Sequence, residues 1–442
     1  MKKGQIALCF LYGVLYGAVA NAYVAIAADW RLLYGLIPLF LLIHGLAGVL
    51  TVPTRRWRIR TVHHGAILLA SFLISVVLSV GFHAGLAFRT IPQDWRTFVW
   101  SAVYCIGVEA ALFWNGILCV YVASLQLGIK QRLVGLLCGM IPVVHLIVLV
   151  RILRIAYREV DTEIDKERLN RARQAQRVCA TRYPLLLVHG VFVRDTRAFN
   201  YWGRIPKELE RNGAILYYGN HASAASVADC AAELAARIRE IVEKTGCEKV
   251  NILAHSKGGL DCRYAIEHEG IAPYVASLTT INTPHRGCLF ADFLLTKADE
   301  SLKTKVASAY NKTLRRLGEP QADFMAAVEN LTAAYCTQLD EDTPCPEGVY
   351  CQSVGSLLGR GRGGQFPLNL SYHLVRAFDG SNDGLVSESS FQFGEDYTLL
   401  APTGDEGISH GDMIDLNRRD VEGFDVREFY VKLVQKLKNK GL

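Results

Sequence analysis

The first 150 residues hold only three acidic side chains, Asp29, Asp94 and Glu109, against eleven Lys and Arg. That segment is net +8 and the remainder net −2, so the whole formal charge of +6 belongs to the N-terminal third. Basic residues confined to loops between apolar runs speak for membrane topology. No basic patch with interleaved aromatics occurs elsewhere, so nucleic acid is excluded as a partner. Also missing is any C-x-x-C pair among the twelve cysteines, which removes a zinc ribbon and a dithiol redox motif. A disulfide within Cys336, Cys345 and Cys351 and three free thiols remain equal alternatives. Histidine is scarce late in the chain: beyond residue 300 there are only His373 and His410.

Long apolar runs, in contrast, are abundant. Stretches 5–28, 32–52, 65–88, 98–127 and 132–153 each reach the ~20 residues that span a bilayer. A cleavable signal peptide is a single shorter run, and buried helices of a soluble core carry more polar faces. The pattern predicts about five transmembrane helices over 1–153 and a charged helical linker over 154–180. With Lys2, Lys3, the Arg55–Arg60 cluster and Lys130/Arg132 on the cytoplasmic side, five spans put the C-terminal domain on the outer face of a bacterial cell membrane. A re-entrant span reverses this. Glu109 and Asn115 lie inside the fourth run, where hydrogen bonding between helices competes with a functional role.

From about residue 181 the texture changes. Pro184–Val188 is a short apolar run ending in His189-Gly190, as in a buried strand, and Lys249-Val250-Asn251-Ile252-Leu253 reads as a second buried strand. A helical stretch, Val227–Glu243, lies between them. Alternation of this kind predicts an α/β fold with a mostly parallel sheet covered on both faces, over 181–442.

Ala254-His255-Ser256-Lys257-Gly258-Gly259 follows the second run and opens a helix. A serine on a sharp strand-to-helix turn needs small residues two before and two after it, and Ala254 and Gly258 supply them. Ser256 is therefore the candidate nucleophile. The backbone N–H of Lys257, at the helix N-terminus, faces a developing oxyanion, and Val191, after His189-Gly190, is placed to give a second N–H. A base and an orienting acid must follow in the order Ser, Asp or Glu, His. His410, in a loop before the last helix, suits the base, whereas His373 reads as packed within a strand over 372–378. Asp383 suits the acid, with Asp379 as its competitor.

Together, Tyr183–Gly190, Tyr201-Trp202, Lys249-Val250-Asn251, Thr283–Gly287, Asn382–Val386 and His410-x-Asp412 resemble the bacterial true lipases of the Pseudomonas and Burkholderia type. The resemblance implies an α/β-hydrolase, a triad of Ser256, Asp383 and His410, no required cofactor, and a lipid or other ester substrate drawn from the bilayer. It also implies a structural calcium ion with Asp412 as one ligand. The stretch expected to hold the second aspartate, Gly359–Gly364, contains no acid, and Asp412 equally suits a helix cap. Lys257 departs from the family pattern by adding a charge that would favour an anionic head group. A helical lid is expected within 295–340. Acyl transfer or deacylation on the same triad, and a catalytically inactive membrane scaffold or transport protein, are the rival functions.

Overall fold

The computed structural model describes residues 3–48, 52–139, 141, 144–191, 200–222, 225–289, 291–292, 324–364, 368–401 and 406–442, with isolated positions between 295 and 308. Its contacts divide the chain into Met1–Arg171 and Ala172–Leu442.

The first unit is helical. Two helices are long and apolar enough to cross a membrane, Gly4–Ala28 and the 67-residue Trp57–Ala123. The latter is two helices joined at Asp94, whose φ −149°, ψ 79° is not helical. Pro92, which lacks an N–H, weakens the turn there, and the Asp94 carboxylate accepts from the Thr97 N–H to start the next helix. The apolar stretches 32–52 and 132–153 form shorter pieces. Leu33–Leu46 has 14 residues and Gly128–Cys138 eleven, and the chain then continues as Val144–Arg173. Glu109 is bound across the bundle, its Oε1 accepting from Ser75 at 2.6 Å and Ser79 at 3.2 Å. Asn115 bonds only within its own helix, to the Ala111 carbonyl.

One end of this unit gathers opposite charges from distant parts of the chain. Arg56 pairs with Glu163 and Arg58 with Glu159. Glu159 also accepts from Ser124 Oγ at 2.6 Å, and Gln5 reaches Asp161 at 3.4 Å.

The second unit is an α/β domain built on six parallel strands in the order β2-β1-β3-β4-β5-β6. They are β1 Leu185–Val188, β2 Leu216–Tyr218, β3 Val250–His255, β4 Val275–Ile281, β5 Tyr350–Ser356 and β6 Asp396–Leu400. Strand periodicity of two deals the side chains of β1 to opposite faces. Leu185 and Leu187 join a cluster with Trp202, Leu209 and Tyr430, while Leu186 and Val188 join one with Leu234, Ile238 and Ala265. Both faces are thus filled, which is why β1 reads as an unbroken apolar run and β3 as an apolar run broken by Asn251. Helix Val227–Thr245 covers one face. It starts on Ser226, whose hydroxyl accepts from Asp229 N–H, and stops at Gly246, whose φ of 68° suits glycine.

Segment 372–378 is a correction to the sequence reading. It belongs to a helix, Leu368–Asp379, and His373 is exposed on it. Tyr372 and Val375 are its buried positions, at helical spacing. The run is too short and too rich in apolar residues for its period to be read unambiguously. All twelve cysteines are free thiols.

Candidate active site

The carboxyl ends of the strands converge on Ser256. Strand β3 runs straight into helix Lys257–His268, and the junction forces Ser256 to φ 57°, ψ −136°. A side chain at this angle is strained, and neighbouring bonds hold it. Ser256 N–H donates to the Ile281 carbonyl at 2.9 Å, and Thr283 Oγ1 donates to the Ser256 carbonyl at 2.8 Å. Close approach explains the small residues around it. A Cβ on Gly258 would stand 2.4 Å from the His189 carbonyl oxygen, and one on Gly190 would stand 2.6 Å from Ser256 Cβ. A side chain at either position would therefore force its neighbour to move. Gly190 in this way lies against Ser256, and Lys257 supplies the first N–H of the helix, which has no partner within it. Residues 192–199, which continue the Val191 loop, lie outside the described residues.

His410 Nδ1 is 2.6 Å from Asp383 Oδ2. Asp383 is fully buried, and its other bonds come from Leu385 N–H at 2.9 Å, Val386 N–H at 2.8 Å and Asn282 Nδ2 at 2.5 Å. Four donors hold the carboxyl group and fix its plane. Asn282, at φ 48° just after β4, is thus an active participant that carried no sequence signal. The competitor Asp379 is elsewhere, 3.4 Å from the Leu289 N–H.

A second relay joins the two sides of the site. The Gly190 N–H donates to Tyr201 Oη at 3.1 Å, and Tyr201 donates to His255 Nδ1 at 2.7 Å. His255 Nε2 then donates to the His410 carbonyl at 3.2 Å. Complete burial, reinforced by the nearby His410, holds the His255 pKa well below its ordinary value, so the ring is neutral. A neutral ring with one N–H and one lone pair fits both of its bonds. His189 is buried and stacks on His221 at 4.1 Å, remote in role from a base.

The Lys257 side chain overturns the idea of a head-group contact. It is 1% exposed, with Nζ 2.7 Å from Asp261 Oδ1 and 3.3 Å from Cys230 Sγ. Burial works against the ammonium, but the Asp261 carboxylate outweighs it and the net shift is upward. The charge therefore faces inward, one helical turn along, and only the backbone of Lys257 serves the site. His221, Cys230 and Asp261 surround it.

Asp412 does not fit the calcium expectation. Its Oδ2 accepts from Ser409 N–H at 3.0 Å and Ser409 Oγ at 2.6 Å, with an Arg419 guanidinium nitrogen 3.5 Å away. Calcium asks for six to eight oxygens, and Gly359–Gly364 brings no carboxylate. Of the lid expectation at 295–340, helices Phe324–Glu329 and Ala333–Asp342 are seen, and most of 293–323 lies outside the described residues.

Residues 150–334 match a family model described as a domain of unknown function, DUF7379. Among curated proteins, the chain is 34% identical over 203 residues to a triacylglycerol lipase of Pseudarthrobacter phenanthrenivorans and 34% over 203 residues to one of Burkholderia plantarii. Each match covers 41% of this chain, and 63% and 56% of those relatives. A Vibrio cholerae triacylglycerol lipase is 29% identical, over 49% of this chain and 75% of the relative. Among solved structures, Staphylococcus hyicus lipase is similar at a TM-score of 0.46 and 18% identity, covering 59% of this chain and 97% of that one. Bacillus licheniformis lipase BlEst2 gives 0.43 and 21%, over 58% and 92%.

Proposed function

We propose that this chain is a membrane-anchored serine ester hydrolase, a lipase acting on acylglycerols or other membrane-derived lipid esters through Ser256, Asp383 and His410. The observation that carries this is the 2.6 Å bond from His410 to a four-fold-anchored Asp383, taken with a serine strained to φ 57° at a strand-to-helix turn. His410 takes the proton of Ser256 as its Oγ attacks the ester carbonyl. Asp383 keeps the imidazole in the tautomer that accepts that proton and stabilises the charged ring that results. The carbonyl oxygen, now an anion, is met by the N–H groups of Val191 and Lys257. His410 returns the proton to the departing alcohol, and water then releases the acid from the acyl-enzyme. This chemistry calls on no cofactor. The lipase names of the relatives agree with a lipid ester as substrate.

The exposed apolar side chains of the first unit, among them Phe10, Val77, Val80, Trp100, Ile106 and Val122, support a bilayer around it. The ion pairs at its one end favour an orientation opposite to the count of five spans. Helix Trp57–Ala123 starts and finishes at that end, its break at Asp94 being the far turn. Residues 5, 56, 58, 124 and 159–163 meet there too. An even number of crossings then separates the N-terminus from Arg171. The Arg55–Arg60 cluster marks that end as cytoplasmic, so the hydrolase faces the cytoplasm and the inner leaflet.

A fluorophosphonate probe applied to membranes tests the activity. Wild type is expected to label and Ser256→Ala to stay blank. Absence of wild-type labelling in both membranes and detergent would remove the hydrolase reading. For orientation, an impermeant maleimide should reach the exposed Cys345 in inverted vesicles and miss it in intact cells; the reverse pattern restores the outer face.

A further inference from the structure

In the resembled lipases a calcium ion ties the loop of the catalytic histidine to the segment ahead of the triad acid, and here the residues do not fit that ion. Here Arg419 lies between the segment ahead of Asp383 and the turn that carries His410. Its Nη2 donates to the Gly363 carbonyl at 2.8 Å and stands 3.5 Å from Asp412 Oδ2, and its Nη1 is 3.3 Å from Glu406 Oε2. Three oxygens that would attract a divalent cation thus converge on one guanidinium. They come from the Gly359–Gly364 segment, from the end of the loop before His410, and from the turn after it.

We infer that Arg419 is a built-in cation that positions the His410 loop, and that calcium has no part in this site; the inference rests on the triad reading above. The Asp412 carboxylate holds Ser409 by both its N–H and its hydroxyl, so it clasps the turn on which His410 sits. Arg419 fixes that carboxylate from the other side. A guanidinium suits the task because its planar fork meets several oxygens at once and stays charged at any working pH. At Gly363 itself the backbone bars an aspartate, because a Cβ there would lie 2.0 Å from the Glu406 carbonyl oxygen, and the side chains that the segment does carry, Arg360 and Arg362, are cationic. Calcium would have to expel a like-charged group and would still find too few ligands.

The test uses the full-length protein in detergent, with two readouts: the rate of fluorophosphonate labelling of Ser256 and the thermal midpoint. Wild type in EGTA and in excess calcium should agree in both. Arg419→Ala should label about tenfold more slowly at a temperature where it is folded, because a small misplacement of the base is costly. Arg419→Lys should recover part of the rate, and free guanidinium ion should restore Arg419→Ala, an effect a merely structural role would not give. A rise in wild-type midpoint or labelling with calcium would overturn the inference, as would an Arg419→Ala variant that labels at the wild-type rate. If wild type labels under no condition, the triad reading fails, and the calcium response of the midpoint still decides whether this is a calcium site.

Discussion

His255 and His410 stand ring to ring, their centroids 4.4 Å apart, with His255 Nε2 on the His410 carbonyl at 3.2 Å. One is beside the nucleophile in sequence and the other is the proposed base. Through Tyr201 the same ring is tied to Gly190 on the oxyanion side. His255→Phe breaks both bonds and should lower kcat by about tenfold to a hundredfold, with a smaller change in KM. Tyr201→Phe removes one hydroxyl and leaves a buried N–H unpaired, a cost of about 1–3 kcal/mol in stability. Kinetics on a short ester, with a denaturant curve for each variant, separate the two effects.

Gly190→Ala should impair the chemistry far more than the fold. The new methyl would arrive 2.6 Å from Ser256 Cβ, so the nucleophile or the oxyanion loop must give way. A loss of about two orders of magnitude in kcat is expected, with the thermal midpoint little changed. Wild-type kcat in this variant would show that Gly190 does not set the position of the nucleophile.

Lys257→Met distinguishes the backbone role of this residue from its side chain. Losing the ammonium strands the buried Asp261 carboxylate, at about 3–5 kcal/mol. The N–H at 257 is unchanged, so labelling per folded molecule should stay near wild type. Adding Asp261→Leu removes the stranded charge and should recover much of the stability, as a double-mutant cycle by denaturation would measure. A large drop in labelling with stability intact would mean that the side chain acts in the site.

Acid should destabilise the α/β domain through two buried neutral histidines. His255 is one. His285 is the other, held well below its ordinary value by burial and by Arg263, whose Nη1 is 2.9 Å from its Nδ1. For a histidine with a depressed folded pKa, the unfolded chain binds the extra proton first. Stability is therefore unaffected above about pH 6.5 and falls as pH drops below it, by about 1.4 kcal/mol per unit for each fully responding ring. Thermal midpoints between pH 8 and pH 5 should show this slope. His285→Gln should flatten it by about one proton; an unchanged slope would mean that His285 is not kept neutral.

Much of the site could be read along the chain because its signals are local. A strand ending in Ala-His-Ser-Lys-Gly-Gly and opening a helix names its own serine, since the turn and the small neighbours are fixed within a few residues. Order along the chain, with so few late histidines, then narrowed the base to His410. The filled strands β1 and β3 were legible for the same reason: burial on both faces leaves a mostly apolar run, broken in β3 by Asn251. Strand β6 was not, because an edge strand of mixed composition lacks that run, and 372–378 was mistaken because seven residues cannot separate a helix from a strand.

What remained for the tertiary structure was everything that depends on distance between remote segments. The sequence favoured Asp383 and left Asp379, four residues away, as its competitor, and only the folded loop puts Asp383 against the imidazole. It named Lys257 as a charge beside the nucleophile, and only the packing of its helix turns that charge inward onto Asp261. It supplied Asp412 as a calcium ligand, and only the return of the chain at Arg419 brings a guanidinium to it. The basic residues near Arg56 counted as loop charges until Glu159 and Glu163 came to meet them. A linear sequence carries propensity, periodicity and order, which are short-range properties. Ion pairs and hydrogen bonds between residues a hundred positions apart are decided when burial makes an unpaired polar group too costly to leave.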